Sequence, residues 1–133
     1  MEFLQHSAAF SGFAVKDLAA AKTFYTETLG LPVTEHTDMP VLTLRINHGN
    51  TPVFIYPKPN HQPATYTILN FPVPDIDATV DALTAKGIRF LQYEGAIKTD
   101  GKGIVRGGKP EIAWFTDPSG NILSVIQQQD KPW

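Results

Sequence analysis

Val15-Lys16-Asp17-Leu18 and Val73-Pro74-Asp75-Ile76 decide how this chain is organised. They lie 58 residues apart, Asp17 to Asp75. Further on, Leu29-Gly30-Leu31 answers to Lys86-Gly87-Ile88 at an offset of 57, Gly30 to Gly87. Near-equal offsets at both ends of a segment mark two copies of one supersecondary unit. Each copy follows one grammar. A short β-branched and aromatic run comes first, at 10–15 and 67–73. Asp17 or Asp75 then stands where an N-cap belongs, its carboxylate able to accept a first-turn N–H. A helix is expected next. Leu18, Ala21, Phe24, Tyr25, Thr28 and Leu29 fall at helical spacing in the first copy, and Ile76, Thr79, Val80 and Leu83 in the second. Gly30 and Gly87 occupy the C-caps, where left-handed geometry favours glycine.

Strand-like runs follow each helix. They are expected at 33–36, 41–46 and 52–57, with a turn at His48-Gly49-Asn50, and then at 88–93, 111–116 and 121–127. Asp117-Pro118-Ser119-Gly120-Asn121 is a tight turn with Gly available for positive φ. Each half therefore reads β-α-β-β-β. The linker is 57–63, with three Pro in seven residues. One insert breaks the symmetry. Residues 94–110 hold five Gly and four basic side chains, Lys98, Lys102, Arg106 and Lys109. Without a core-forming pattern they read as a mobile loop. Either the loop is a basic lid that closes on a polar ligand, or it is a solvated connection.

Composition bounds the chemistry. The chain has 133 residues, 42% hydrophobic and 18% charged, with 11 Lys and Arg against 13 Asp and Glu. This fits one globular domain and gives no bulk electrostatic case for nucleic acid or an anionic membrane. Zero Cys excludes disulfides, thiolate metal sites and cysteine nucleophiles. The N-terminus lacks the pattern of a signal peptide and no apolar run is long enough to span a bilayer, so a cytoplasmic location is expected.

Three stretches carry a resemblance. They are Val15-x-Asp17-Leu18 with Lys22-Thr23-Phe24-Tyr25 and Leu29-Gly30-Leu31; Val73-x-Asp75-Ile76-Asp77; and Phe115-Thr116-Asp117-Pro118-Ser119-Gly120-Asn121. In this order and spacing the chain resembles the glyoxalase/bleomycin-resistance/extradiol-dioxygenase superfamily, the vicinal-oxygen-chelate proteins. The resemblance implies an α+β fold: two tandem β-α-β-β-β modules, about 8–58 and 64–128 of one 1–133 domain, forming curled mixed sheets around a cleft. It also implies a small organic molecule as ligand and a homodimer.

In metal-dependent relatives the resemblance places ligands seven residues before each capping Asp, four residues after the Gly of the Asp-Pro-x-Gly turn, and in the fourth strand of the first half. These positions are Phe10, Ile68, Ser124 and about Tyr56. Phenyl and sec-butyl groups do not coordinate cations, and a neutral hydroxyl is a weak donor. No metal and no cofactor are expected. His6, His36, His48 and His61 form neither an i, i+4 nor an H-x-H pair.

Strand alternation then names the ligand-binding candidates Phe10, Phe54, Tyr56, Ile68, Asn70, Trp114 and Ser124, with Arg106 from the insert. In phase with them lie Gly12, Ala14, Pro72, Ile122 and Ile126. The expected function is a metal-free protein that binds, and so sequesters or confers resistance to, a small molecule in an aromatic-lined cleft. The alternatives are a glyoxalase-like lyase or isomerase or a dioxygenase-type enzyme with a non-standard site, a metal-free enzyme using Tyr56, His61 or Lys98, and a cleft filled by side chains.

Overall fold

A computed structural model describes residues 2–130. The elements run α1 (Glu2–Gln5), β1 (Ser11–Val15), α2 (Leu18–Thr23), β2 (Val33–Glu35), β3 (Leu42–Ile46), β4 (Thr51–Pro57), β5 (Thr67–Val73), α3 (Ile76–Ala85), β6 (Ile104–Val105), β7 (Ile112–Thr116) and β8 (Ile122–Gln127). The chain divides into two compact units, Met1–His61 and Gln62–Trp133. Each unit holds one four-stranded mixed sheet. The strand orders are β1-β4-β3-β2 and β5-β8-β7-β6, which is one permutation used twice. In each, the first strand pairs parallel to the last and the others pair antiparallel. The fold is α+β with tandem modules, as the repeat implied.

The repeated residues act at matching places. Asp17 Oδ1 accepts from Ala20 N at 3.1 Å, and Asp75 Oδ1 accepts from Ala78 N at 3.1 Å. Each bond satisfies an orphan donor of the first helical turn. Beyond α2 the chain continues as a π-helical turn, Phe24–Thr28, in which Leu29 N donates to Phe24 O at 3.0 Å. Gly30, at φ +70°, then reverses the chain, as Gly87 does at φ +96° after α3.

The helix-facing side of each sheet is the core. In the first unit Val15, Leu42, Leu44, Val53 and Ile55 are buried with Ala21 and Tyr25 of the helical segment. Phe13 meets the Tyr25 ring at 5.9 Å, which fixes that face as the helix side. In the second unit Ala113, Phe115, Leu123 and Val125 are buried with Ile76 and Val80. Gln127 Oε1 accepts from Ile76 N at 3.0 Å and marks the same side. Residues of the opposite parity form each sheet's other face.

Two expectations are corrected in the second unit. Residues 88–93 were expected as a strand, yet they enter no ladder. Leu91 N donates to Trp114 O at 2.8 Å, and that bond marks the limit of sheet-like pairing there. The edge beside β7 is taken instead by Ile104 and Val105, opposite Ala113 and Ile112. The insert 94–110 thus supplies a strand and a core residue, since Ile104 is fully buried. Gly103 permits this. It has φ +91°, and a Cβ there would lie 2.6 Å from Phe90 Cβ.

Candidate functional site

The face away from the helix carries Phe54 and Tyr56 in the first unit and Asn70, Trp114 and Ser124 in the second, each unit taken separately. In the first unit Gly12, Phe54 and Thr43 stand in register, with Ala14 and Tyr56 beside them. Phe10 precedes β1 and folds over Phe54, ring centroids 4.6 Å apart. The His36 ring centroid lies 5.7 Å from that of Phe54, and its Nε2 is 2.8 Å from Thr43 Oγ1. Gly12 makes room for the stack: a Cβ there would lie 2.9 Å from Phe54 O and 3.1 Å from Phe54 Cβ. Phe10 is 58% exposed and Tyr56 44%, so this aromatic surface is open in the unit described. Tilted rings at such distances attract through their quadrupoles as well as by burial.

In the second unit Asn70, Ser124 and Trp114 share one register line across β5, β8 and β7. This settles Trp114 onto the same face as Ser124. The Ser124 hydroxyl is fully buried and donates to Asn70 Oδ1 at 2.6 Å. That bond engages the carbonyl oxygen of the exposed Asn70 amide and leaves its NH2 as the donor presented outward. Ile68 falls where the β5–β8 register shifts, between Thr67 and Leu69, and has no partner on β8. The buried turn before β8 anchors the line. Asp117 Oδ1 accepts from Ser119 N and Asn121 N at 2.9 and 3.0 Å, and Asp117 Oδ2 accepts from Asn121 Nδ2 at 3.0 Å.

A pocket of about 210 Å³ opens on this unit. It is lined by Thr67, Trp114 and Ile122 of the sheet, by Thr65 and Tyr66 just before β5, and by Tyr93 and Ile97 of the stretch between α3 and β6. Trp114 Nε1 donates to Thr67 Oγ1 at 3.0 Å, and Tyr93 meets the Trp114 ring edge-on at 5.5 Å. The pocket gathers only Trp114 of the candidate residues. Tyr66, Tyr93 and Ile97 were not among them. Ile97 had a sequence signal, as a large apolar residue inside a Gly- and Lys-rich segment.

Arg106 stands elsewhere, in a network of charges. Its Nη1 and Nη2 donate to Asp77 Oδ2 and Oδ1 at 3.0 and 2.6 Å, a bidentate pair. Its Nε donates to Asp100 Oδ2 at 2.8 Å, and Nη1 also reaches Glu111 Oε2 at 3.3 Å. Lys102 Nζ bridges Asp77 and Asp81 at 3.1 and 2.9 Å. Bonds from Arg106 and then Lys102 hold the Asp77 carboxyl well below the usual carboxylate range. Partial burial pushes Asp100 upward, but bonds from Ile104 N–H, Arg106 and Lys102 N–H outweigh it and lower its pKa. Asp81 and Asp77 in turn raise Lys102.

The positions where metal-dependent relatives carry ligands do not form a donor set here. Phe10 is stacked on Phe54, Ile68 is aliphatic, and the Ser124 hydroxyl is bonded to Asn70. Among the described residues no three His, Asp or Glu side chains are grouped to hold a metal ion. These residues do not fit a divalent metal ion, which needs about three good protein donors. His61 Nε2 is the one buried side-chain polar atom without a hydrogen-bond partner among the described residues. Lys98 lies exposed. No helix among the described residues is long and apolar enough to cross a membrane.

Comparison with known proteins completes the picture. Among curated proteins none matches the sequence. The solved structure of TnmS3, an antibiotic binding protein from Streptomyces sp. CB03234, is similar with a TM-score of 0.66 at 21% identity, covering 93% of this chain and 98% of that one. The genomically encoded fosfomycin resistance protein FosX from Listeria monocytogenes, in its hexagonal form, gives 0.67 at 14% identity, covering 92% and 93%. A superfamily member from Sphaerobacter thermophilus DSM 20745 gives 0.66 at 22% identity, covering 92% and 98%. At such identities these likenesses establish the fold alone. The model of the Glyoxalase/Bleomycin resistance protein/Dioxygenase superfamily matches residues 4–125, and the chain belongs to that superfamily.

Proposed function

We propose that this protein is a metal-free binder of a small, partly apolar organic molecule, of the sequestering or resistance type. One observation carries the reading: Phe10, at a position where metal-dependent relatives hold a ligand, is instead packed on Phe54 at 4.6 Å as part of an open aromatic surface. Within the first unit Phe10, Phe54 and Tyr56 supply contacts; within the second Ile68, Asn70 and Trp114 do, and the buried Ser124 hydroxyl orients the Asn70 amide. Aromatic rings give large contact area at low entropic cost, and each unit carries its own polar handle, the Tyr56 hydroxyl in the first and the Asn70 NH2 in the second. Arg106 serves this site through the segment it anchors. The reading extends to a cytoplasmic location and to a homodimer, the latter supported by the exposed side chains of Phe3 and Leu4. An antibiotic-binding protein and a fosfomycin resistance protein among the structural relatives support the ligand class.

A thermal-shift screen with antibiotics, aromatic metabolites and 2-oxoaldehydes tests this. A true ligand at 100 times its Kd stabilises the fold by about 2.7 kcal/mol, a rise of several degrees in Tm. Phe54→Ala should remove the rise for a ligand of the first unit's face, and Trp114→Ala for a ligand of the second's. Stoichiometric zinc, iron, manganese or nickel in untagged protein, accompanied by turnover of a 2-oxoaldehyde adduct or a catechol, would instead establish the lyase, isomerase or dioxygenase reading. Sedimentation and cell fractionation check the dimer and the compartment.

A further inference from the structure

The ion-pair network and the pocket of the second unit are joined by one short stretch of chain. None of Asp77, Asp81, Asp100, Lys102, Arg106 and Glu111 lines the pocket. Yet Arg106 grips Asp100, and Asp100 is the hub of the segment that returns to the pocket wall. Asp100 Oδ1 accepts from Lys102 N and Ile104 N at 2.9 Å each, and Asp100 N donates to Ile104 O at 2.8 Å. The next residue, Thr99, is buried and forms a bridge with Val105. Its hydroxyl accepts from Tyr93 N at 2.9 Å and donates to Gln92 Oε1 at 3.0 Å, while Thr99 N donates to Tyr93 O at 3.2 Å. Tyr93 and Ile97, the two ends of the intervening turn, are the pocket wall.

We propose that Arg106 is a positioning residue for this pocket: by tying Asp100 to Asp77 on α3 it holds the Tyr93–Ile97 wall in place for an uncharged, planar ring. The proposal rests on reading the pocket as a ligand site. The ring is uncharged because no charged side chain lines the pocket and the Trp114 N–H is already committed to Thr67. A wall fastened beforehand spares the ligand the cost of ordering it. The fastening is built from half-exposed ion pairs, which salt weakens. An uncharged ligand in an uncharged pocket therefore acquires a salt-sensitive affinity.

The test uses the full chain and the neutral fluorescent probe N-phenyl-1-naphthylamine. A Trp133→Phe background leaves Trp114 as the sole tryptophan, so energy transfer to the probe reports this pocket. In that background the probe should bind less tightly as NaCl is raised. R106Q should weaken binding about two- to tenfold, the scale set by ordering one or two side chains. It should also flatten the salt dependence and shift Trp114 emission. R106K, which keeps the charge without the fork, should recover part of the affinity. Asp77→Asn should act like R106Q, while Lys22→Gln, which breaks the Lys22–Glu35 pair of the first unit, should do nothing. Should R106Q fail to fold, Asp77→Asn and the salt titration of the parent protein decide the matter alone. Unchanged affinity in the Arg106 and Asp77 variants at every salt concentration overturns the positioning role and leaves the pocket reading intact. No probe binding by the parent protein overturns both.

Discussion

The two units run their strands in the same order and cap their helices with the same residue, yet their edge strands β2 and β6 arise differently. In the first unit β2 follows the helical segment directly, after Gly30, Leu31 and Pro32. In the second, the chain passes through residues 88–103 before Ile104 and Val105 take the equivalent place beside β7. The first route leaves an aromatic stack, Phe10 on Phe54, as the feature of the open face. The second route places Tyr93 and Ile97 beside Trp114 and creates a pocket. The duplicated frame fixes where side chains can point. The unequal connection decides what stands in front of them.

Four measurements press on this contrast. The largest effect is expected from Ile104→Ala. If the insert is part of the second core, losing this fully buried side chain costs about 2–5 kcal/mol in chemical denaturation. A cost under about 0.5 kcal/mol would return the segment to the status of a surface loop. Gly103→Ala comes next, at about 2 kcal/mol, because φ +91° and the approach to Phe90 both oppose a methyl group. The caps should be equal if the repeat is physical: Asp17→Ala and Asp75→Ala each lower stability by about 1 kcal/mol. Unequal losses would show that the tandem halves have ceased to be energetic copies.

The smallest effect is in acid. Asp77 is lowered in the folded protein by Arg106 and Lys102. The stability it contributes is complete above the usual carboxylate pKa of about 4 and is lost as pH falls toward the folded value. Hydrogen-exchange protection, relative to the intrinsic rate at each pH, should therefore fall at Tyr93 and Asp100 before it falls at Thr43 as pH drops from 5 to 3. Equal protection throughout the range would uncouple the network from the wall.

Much of this frame was legible in the residues themselves. Asp17, Asp75, Gly30 and Gly87 are local signals, each dictating one cap or one positive φ, and local signals survive folding. Tyr93 and Ile97 were missed because their placement depends on where β6 pairs, a long-range choice that a two-residue strand does not advertise; Tyr66 lies one residue before β5, outside the strand pattern. Residues 88–93 have strand composition and still lose the edge to Ile104 and Val105. The insert's Gly and Lys content hid a buried Ile and a carboxylate network whose partners lie on α3, over twenty positions away in the chain.

The shortness of β2 and β6 has a further consequence. A sheet edge is a row of unmet amides that invites another chain to add itself. Here each sheet ends on its later side in a strand of three or two residues, too short to template much pairing. Glu35, at the end of β2, carries a charge held by Lys22, and the residue after β6 is Arg106 itself. Beyond β6 the edge is already met, since Asp100 N donates to Ile104 O and Thr99 bridges Val105, so the stretch that the guanidinium holds doubles as the cover of the sheet edge.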